Sequence, residues 1–247
     1  MSPTFVSFLG SGDAFNAQGR HHAAFLIRGA DTGLLLDCGA TTLASLKRAG
    51  IAAGSIDAII ISHLHGDHFA GLPFVFLEEI YLGERRRPLR IVGPPGTQER
   101  VKLLFRALYP STAVQPLPFA IEFIETLPAR GFQIGSSLIE PFLVPHQEHE
   151  ISLGYVLDID GKRVVYSGDT GWTEELLPRS EGADLFICEC SFFETRVWFH
   201  LDYPRLAENH ARFGARRVVL THLGQEVLAR RGEIRMELAQ DLLTIQI

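Results

Sequence analysis

The stretch Ser62-His63-Leu64-His65-Gly66-Asp67-His68 carries four side chains that commonly bind metal ions. It follows Ile59-Ile60-Ile61, an apolar β-branched run that predicts a short buried strand ending at Ser62. Three unrelated surface histidines are the alternative interpretation. Imidazoles this dense would repel one another when protonated and would gain nothing by clustering, so a bound cation explains the pattern better.

The spacing within this stretch predicts two metal sites. In an extended segment His63 and His65 point the same way, because side chains alternate with a period of two. Gly66 then permits a sharp turn, which directs Asp67 and His68 toward a second point nearby.

The bulk composition describes an ordinary globular chain. Its 247 residues are 46% hydrophobic and 21% charged, a length that suits one large domain or two small ones. Since no linker is visible, we expect one domain over residues 1–247. The net charge of −6 argues against a broad nucleic-acid-binding surface. The longest apolar stretch, residues 69–77, is too short to cross a bilayer, and the start lacks the charge of a signal peptide. We therefore expect a cytoplasmic protein without a membrane partner.

Two further features have modest interpretations. Cys188 and Cys190 lie on a strand-like run and are predicted to be small buried hydrophobes. The run Arg85-Arg86-Arg87 is interpreted as a solvated loop, with contact to an anion as the alternative.

Strand and helix patterns alternate along the chain, which indicates the α/β class with helices covering the sheets. Predicted strands include residues 5–9, 59–61, 89–92, 121–125, 138–144, 151–157, 163–166, 185–190, 218–221 and 243–247. Predicted helices include residues 42–49, 97–108, 203–213 and 225–230.

Ligand-type residues follow four of these strands. His146, Asp169 and His222 each come after a separate strand, as the histidine-rich stretch does. Because strand ends bring distant parts of a sequence together, these residues are predicted to share one site.

The series His63-x-His65-x-Asp67-His68, His146, Asp169 and His222 resembles the metallo-β-lactamase superfamily. The resemblance implies a four-layer αββα sandwich of two packed sheets flanked by helices. Further motifs resemble the ribonuclease Z branch, which also contains small phosphodiesterases such as the one that accompanies the carbon–phosphorus lyase pathway. They are Leu9-Gly10-Ser11-Gly12, Asp37-Cys38-Gly39, Gly71-Leu72-Pro73, Gly93-Pro94-Pro95-Gly96, Ser167-Gly168-Asp169-Thr170 and Leu220-Thr221-His222.

The resemblance also implies how the ligands divide between two divalent ions. One ion would be held by His63, His65 and His146, and the other by Asp67, His68 and His222, with Asp169 bridging them. Zn²⁺ is the expected metal, and Mn²⁺ and Fe²⁺ stay open because imidazole and carboxylate suit all three.

The implied reaction is the attack of a metal-bridging hydroxide on a phosphodiester. With Asp67, Asp169 and that hydroxide, two divalent ions would leave one net positive charge, which suits a singly charged diester. Asp37 would orient a ligand histidine.

The resemblance assigns Glu189 and His200 to the pair that assists the leaving group, and Asp67 is assigned to catalysis as well as to the metal. A surface position at the start of a helix is the alternative for His200.

The sequence departs from ribonuclease Z where those enzymes commonly carry a long, basic arm that grips tRNA. Only 23 positions separate His146 from Asp169, and one predicted hairpin fills them. The cysteine-rich zinc site of the carbon–phosphorus lyase phosphodiesterase is also missing from the sequence. The short hairpin predicts a small or cyclic phosphodiester as substrate rather than extended nucleic acid, and the missing zinc site leaves the particular cyclic ribose substrate of that phosphodiesterase open.

The sequence leaves three alternative functions and the oligomeric state open. The protein is alternatively a tRNA 3′-processing enzyme or other RNA endonuclease, a lactone or thioester hydrolase, or a metal-binding scaffold without turnover. A homodimer is also left open.

Overall fold

The computed structural model describes residues 3–247, in which two seven-stranded mixed sheets face each other. The first sheet has the order β14-β1-β2-β3-β4-β5-β6 and the second has the order β13-β12-β11-β10-β9-β8-β7. The strands of the first sheet are β1 (Phe5–Gly10), β2 (Ala24–Arg28), β3 (Gly33–Leu36), β4 (Ala58–Ile60), β5 (Leu89–Gly93), β6 (Ile121–Glu125) and β14 (Leu243–Gln246). Those of the second are β7 (Phe132–Ile134), β8 (Ser137–Leu143), β9 (Leu153–Ile159), β10 (Lys162–Tyr166), β11 (Leu185–Glu189), β12 (Val218–Thr221) and β13 (Glu237–Leu238).

Eight α-helices in the described residues accompany these sheets. They are α1 (Thr42–Arg48), α2 (Gly66–Phe69), α3 (Leu72–Tyr81), α4 (Thr97–Leu108), α5 (Pro110–Ala113), α6 (Leu176–Ser180), α7 (Tyr203–Asn209) and α8 (Gln225–Ala229). Short 3₁₀ turns lie at Ala17–Gly19, Ala53–Ser55 and His210–Arg212. None of the helices in residues 3–247 is long and apolar enough to cross a membrane.

The inner strands β4 and β11 are buried on both faces, and apolar residues alternate between the two sides of each sheet. In β4, Ala58 and Ile60 face the core between the sheets, whereas Ile59 packs under the helices of the first sheet. In β11, Ile187 faces the central core and Cys188 packs under the helices of the second sheet. One core lies between the two sheets, and one lies between each sheet and its helices. This arrangement is the predicted four-layer αββα sandwich.

The expected elements are mostly present. The structure places a helix at Thr97–Leu108 and a strand at Ile121–Glu125, as predicted, and it shifts the hairpin to Leu153–Ile159 and Lys162–Tyr166. The short strands Phe132–Ile134 and Glu237–Leu238 were not predicted, since so few residues show no periodicity. Cys188 and Cys190 are unpaired and fully buried, which confirms their interpretation as small hydrophobes.

The interpretation of the arginine run is wrong for Arg85. Its guanidinium is buried, and its Nε donates to Glu79 Oε2 at 3.1 Å. Nη2 donates to the carbonyl oxygen of Ile56 at 2.5 Å. A buried carboxylate and backbone carbonyls therefore replace the solvent around this cation, whereas Arg86 and Arg87 are exposed as predicted.

Candidate metal centre

The site lies where strand ends of both sheets meet. Strands β10, β11 and β12 are parallel, and β8 runs in the same direction because both β8 and β10 are antiparallel to β9. Their carboxyl ends therefore share one edge of the second sheet. The residues that follow β3 and β4 reach this edge from the first sheet, since Leu153 N–H donates to the carbonyl oxygen of Ser62 at 2.9 Å.

The first cluster consists of three ring nitrogens from His63, His65 and His146. His65 Nδ1 lies 3.0 Å from His63 Nε2 and 3.1 Å from His146 Nε2. His146 Nδ1 donates to the carbonyl oxygen of Phe199 at 2.8 Å, so its Nε2 presents a lone pair to the cluster. Converging lone pairs repel unless a cation lies between them.

The second cluster consists of Asp67, His68, Asp169 and His222. Asp67 Oδ2 is 3.2 Å from His68 Nε2 and also 3.2 Å from His222 Nε2. Asp169 Oδ2 has the same separation, 3.2 Å, from both ring nitrogens.

Asp169 lies between the two clusters. Its Oδ2 is also 3.9 Å from His63 Nε2 and 4.0 Å from His146 Nε2. Among residues 3–247, its Oδ1 and the Nε2 of His68 are buried without a hydrogen bond. Buried polar atoms without partners are rare, and an ion at each cluster would satisfy both. The donor set therefore fits two metal ions.

Asp37 orients a histidine of the second cluster, as expected. Its Oδ2 accepts a hydrogen bond from His68 Nδ1 at 2.7 Å, which leaves His68 Nε2 free to face the cluster. The same carboxylate accepts from the Ser62 amide at 2.7 Å, the Ser62 hydroxyl at 2.8 Å and the Tyr166 hydroxyl at 2.6 Å. These bonds compensate the cost of burying the charge of Asp37 completely.

The backbone turns sharply where it delivers three of these residues. Asp37 and His222 adopt left-handed conformations with φ of 56° and 53°, and Gly168 before Asp169 has φ of 60°. A side chain at Gly168 would also lie 2.6 Å from the carbonyl oxygen of Leu153. Left-handed conformations at non-glycine residues cost free energy and concentrate at functional sites.

The electrostatics suit cation binding. Burial, together with the neighbouring His68, holds the pKa of His63 well below its usual value. Burial opposes ionisation of Asp169, but His222 and His68 keep its pKa well below the usual range. Burial opposes the charge of His68, but the surrounding carboxylates of Asp169, Asp67 and Asp37 raise its pKa well above the usual value. The three carboxylates thus stabilise positive charge at the second cluster.

His200 and Glu189 form a pair beside both clusters. His200 Nδ1 donates to Glu189 Oε1 at 2.8 Å, and the His200 ring lies 4.9 Å from the His146 ring and 5.5 Å from the His222 ring. Although burial opposes it, the charge of Glu189 and this hydrogen bond raise the pKa of His200 to about 9. His200 thus lies beside the two clusters with a carboxylate partner, with its side chain 14% exposed, and its role in assisting the leaving group stays a prediction.

The sequence patterns did not indicate Ser191, which links the Glu189 carboxylate to His222 of the second cluster. Its hydroxyl lies 2.8 Å from Glu189 Oε2 and 2.9 Å from His222 Nδ1. A lone serine shows no spacing signal, and only its position directly after the Cys-Glu-Cys run could have indicated it.

Two cavities open beside the clusters, and His200 lines both. A cavity of about 430 Å³ extends past His65 and His146, and one of about 220 Å³ extends past His222 toward Phe15. A substrate could therefore reach the centre from either side of His200.

Two facing sheets with a histidine- and aspartate-rich centre at their strand ends define a metallo-hydrolase of the metallo-β-lactamase fold. The chain belongs to the family described as Anti-Pycsar protein Apyc1, whose family model matches residues 4–242.

Similar proteins agree with this class. A ribonuclease Z from Lachnoclostridium phytofermentans is 26% identical over 271 residues, which cover 88% of this chain and 86% of that protein. The probable metallo-hydrolase YhfI from Bacillus subtilis is 27% identical over 232 residues, with the same coverage of 88% and 86%. The crystal structure of the short form of human tRNase Z has a TM-score of 0.80 at 26% identity and covers 98% of both chains. The ribonuclease Z-like branch predicted from the motifs is confirmed.

Proposed function

We propose that this protein is a dinuclear phosphodiesterase that acts on small or cyclic phosphodiesters. The observation that carries the proposal is the position of His200, which Glu189 holds beside both ligand clusters. A protonated imidazole at this place is suited to donate to a departing oxygen, a step that a diester of an alkyl alcohol requires.

The residues that would hold the metals divide as the two clusters do. The first ion would be bound by His63, His65 and His146, and the second by Asp67, His68 and His222, with Asp169 shared. When bound, the ions would activate water and neutralise charge on the phosphoryl group. Zn²⁺ is the proposed metal, with Mn²⁺ and Fe²⁺ as alternatives, since these donors suit all three.

Residues of the chain supply the remaining steps. His200 carries its bonded proton at Nδ1 toward Glu189, so a second proton at Nε2 is the one available to the leaving oxygen. Asp67 is proposed to orient the attacking water as well as to bind metal. Its side chain is 9% exposed, against 3% for Asp169.

The charge of the cavities favours a substrate with a single phosphate. Among residues 3–247, those that line the two cavities beside the clusters include Asp13, Glu148, Glu150 and Glu226 but no lysine or arginine. Glu150 is paired with Arg100, and further phosphates would otherwise meet carboxylates there. This arrangement supports a small diester over polynucleotide, although matched relatives are named ribonuclease Z.

The hairpin between His146 and Asp169 supports the same conclusion. Strands β9 and β10 are joined by the two-residue turn Asp160-Gly161, both with positive φ, and no arm extends from them. We expect binding to mature tRNA to be weak and to weaken steeply with salt, measured by filter binding at several salt concentrations. Tight binding at physiological salt with precise 3′ cleavage would contradict this expectation.

A substrate panel tests the proposed function. Metal-loaded protein is assayed with a bis-aryl phosphate, an aryl phosphomonoester, a cyclic nucleotide, a lactone and pre-tRNA. We expect the highest kcat/KM on a small or cyclic diester. Faster hydrolysis of the lactone or the monoester would overturn the proposal, and no turnover of any member would favour the metal-binding scaffold. A homodimer stays a prediction.

A further inference from the structure

The loop that carries His200 leaves the second sheet after β11 and ends at α7. It connects β11 to α7 and contains one bridge, between Phe192 and Asp202. At its base the Phe192 amide donates to the carbonyl oxygen of Leu201 at 3.2 Å, and the Tyr203 amide donates to that of Phe192 at 2.9 Å. These bonds close the loop, and the Phe199 carbonyl and His200 hold its inner end through His146 and Glu189, which leaves the outer segment 193–195 to other partners.

Glu226 of α8 fixes that segment. Its Oε2 accepts hydrogen bonds from three consecutive amides, those of Phe193 at 3.0 Å, Glu194 at 2.8 Å and Thr195 at 3.0 Å. Its Oε1 accepts from the Thr195 hydroxyl at 2.5 Å. Bonds to an ionised acceptor are stronger than neutral ones, so this carboxylate holds the outer part of the loop.

Neighbouring contacts join the same two segments. Arg230 pairs with Glu194 at 2.5 Å, and its guanidinium lies 4.6 Å from the centre of the Phe193 ring. At Gly224 a side chain would lie 2.1 Å from the carbonyl oxygen of Ser191, so the start of α8 approaches the loop closely. The outer part of the loop is therefore seated on α8, whereas its inner end lies against Gly171, His146 and Glu189.

We propose that Glu226 is a positioning residue that keeps His200 within reach of the leaving oxygen. It lies four residues after His222, and it lines the same cavity as His200 and His222. Its carboxylate thus ties the loop of the proton donor to the segment that follows a metal ligand. The inference rests on the proposed function, in which His200 donates a proton.

The ionisation of Glu226 agrees with this role. Burial opposes the charge, but the Thr195 hydroxyl and the loop amides lower the pKa of Glu226 to about 2. The carboxylate is therefore present throughout the range in which hydrolysis would be measured.

The test compares two diesters, one releasing nitrophenolate and one releasing an alkoxide. Positioned general acids contribute about 10²–10⁴-fold, and a misplaced one should lose a large part of this, about tenfold or more, on the alkoxide diester. We expect Glu226→Ala to show that loss in kcat/KM, with a much smaller loss on the nitrophenyl diester and unchanged metal content. Glu226→Gln keeps an acceptor oxygen and should recover part of the activity.

Two further measurements distinguish a positioning role for Glu226 from a general loss of structure. Hydrogen exchange of the 193–195 amides should accelerate in Glu226→Ala. In a His200→Ala background, adding Glu226→Ala should cause no further loss, because the two residues act through one proton transfer. The matched control is Glu237→Ala, which removes a β13 carboxylate that is bound to Arg217 and lines neither cavity, and which should leave the hydrolysis of both diesters unaffected.

The outcomes distinguish this inference from the proposed function. Equal losses on both diesters in Glu226→Ala, or additive losses in the double variant, would overturn the positioning role while leaving His200 as the donor. If His200→Ala itself shows no dependence on the leaving group, the proton-donor step fails first. If Glu226→Ala does not fold, Glu226→Gln carries the same comparison.

Discussion

Replacing Asp169 with alanine is expected to abolish hydrolysis of every substrate. The Asp169 carboxylate is the group whose oxygen lies within 4.0 Å of ring nitrogens from both clusters. Its removal would take a shared anionic ligand from both proposed ions, so both should bind more weakly. We expect kcat/KM to fall by at least about a thousandfold, on the order of 4 kcal/mol. Elemental analysis should show reduced metal content in the same preparation.

The matched control is Asp158→Ala. Asp158 lies in β9, and its carboxylate contacts Arg163 at 3.5 Å, outside the centre. This variant should retain metal and activity. If Asp169→Ala kept full metal content and activity within about tenfold of the unmodified protein, the shared-ligand assignment would be wrong.

Replacing His200 with alanine is expected to separate proton donation from metal binding. His200 lies outside the seven proposed ligands, so both metals should stay bound. For a diester that releases an alkoxide, the loss should be large, about 10²–10⁴-fold, because that oxygen leaves poorly without a proton. For a diester that releases nitrophenolate, the loss should be small. Measuring kcat/KM for both diesters decides the role.

An exposed histidine provides the control for His200. His210 lies at the end of α7 and lines neither cavity beside the clusters, so His210→Ala should behave like the unmodified protein. Equal losses on the two diesters in His200→Ala would assign it to charge stabilisation or positioning. No loss on either would remove His200 from the reaction.

Local sequence patterns were sufficient for the α/β class and for much of the centre, because those patterns and the tertiary structure agree there, whereas the four-layer sandwich was implied by the family resemblance. The apolar run at Ile59-Ile60-Ile61 continues a strand buried on both faces, and the alternation that follows it brings His63 and His65 together. His146, Asp169 and His222 were found because each follows a strand. Strand ends are visible in sequence, and parallel strands bring them to one edge.

Other features depend on distant contacts that leave no local pattern. Arg85 is buried because Glu79 and the Ile56 carbonyl meet it, although an arginine run is usually solvated. Glu226 has the neighbours of an ordinary surface helix residue, and its role appears only when the loop at 193–195 folds onto it. The contacts of Arg85 with Ile56 and of Glu226 with the loop span 29 to 33 residues, so they are visible only in the structure.

The central claim is a centre with two metal ions, and metal stoichiometry tests it most directly. Apo-protein is reconstituted with Zn²⁺ or Mn²⁺, freed of excess metal, and analysed for metal per chain alongside hydrolysis of the bis-aryl phosphate. The two clusters predict close to two ions per chain, with full activity only when both are present. One ion per chain at full activity, with the second cluster undisturbed, would contradict the account.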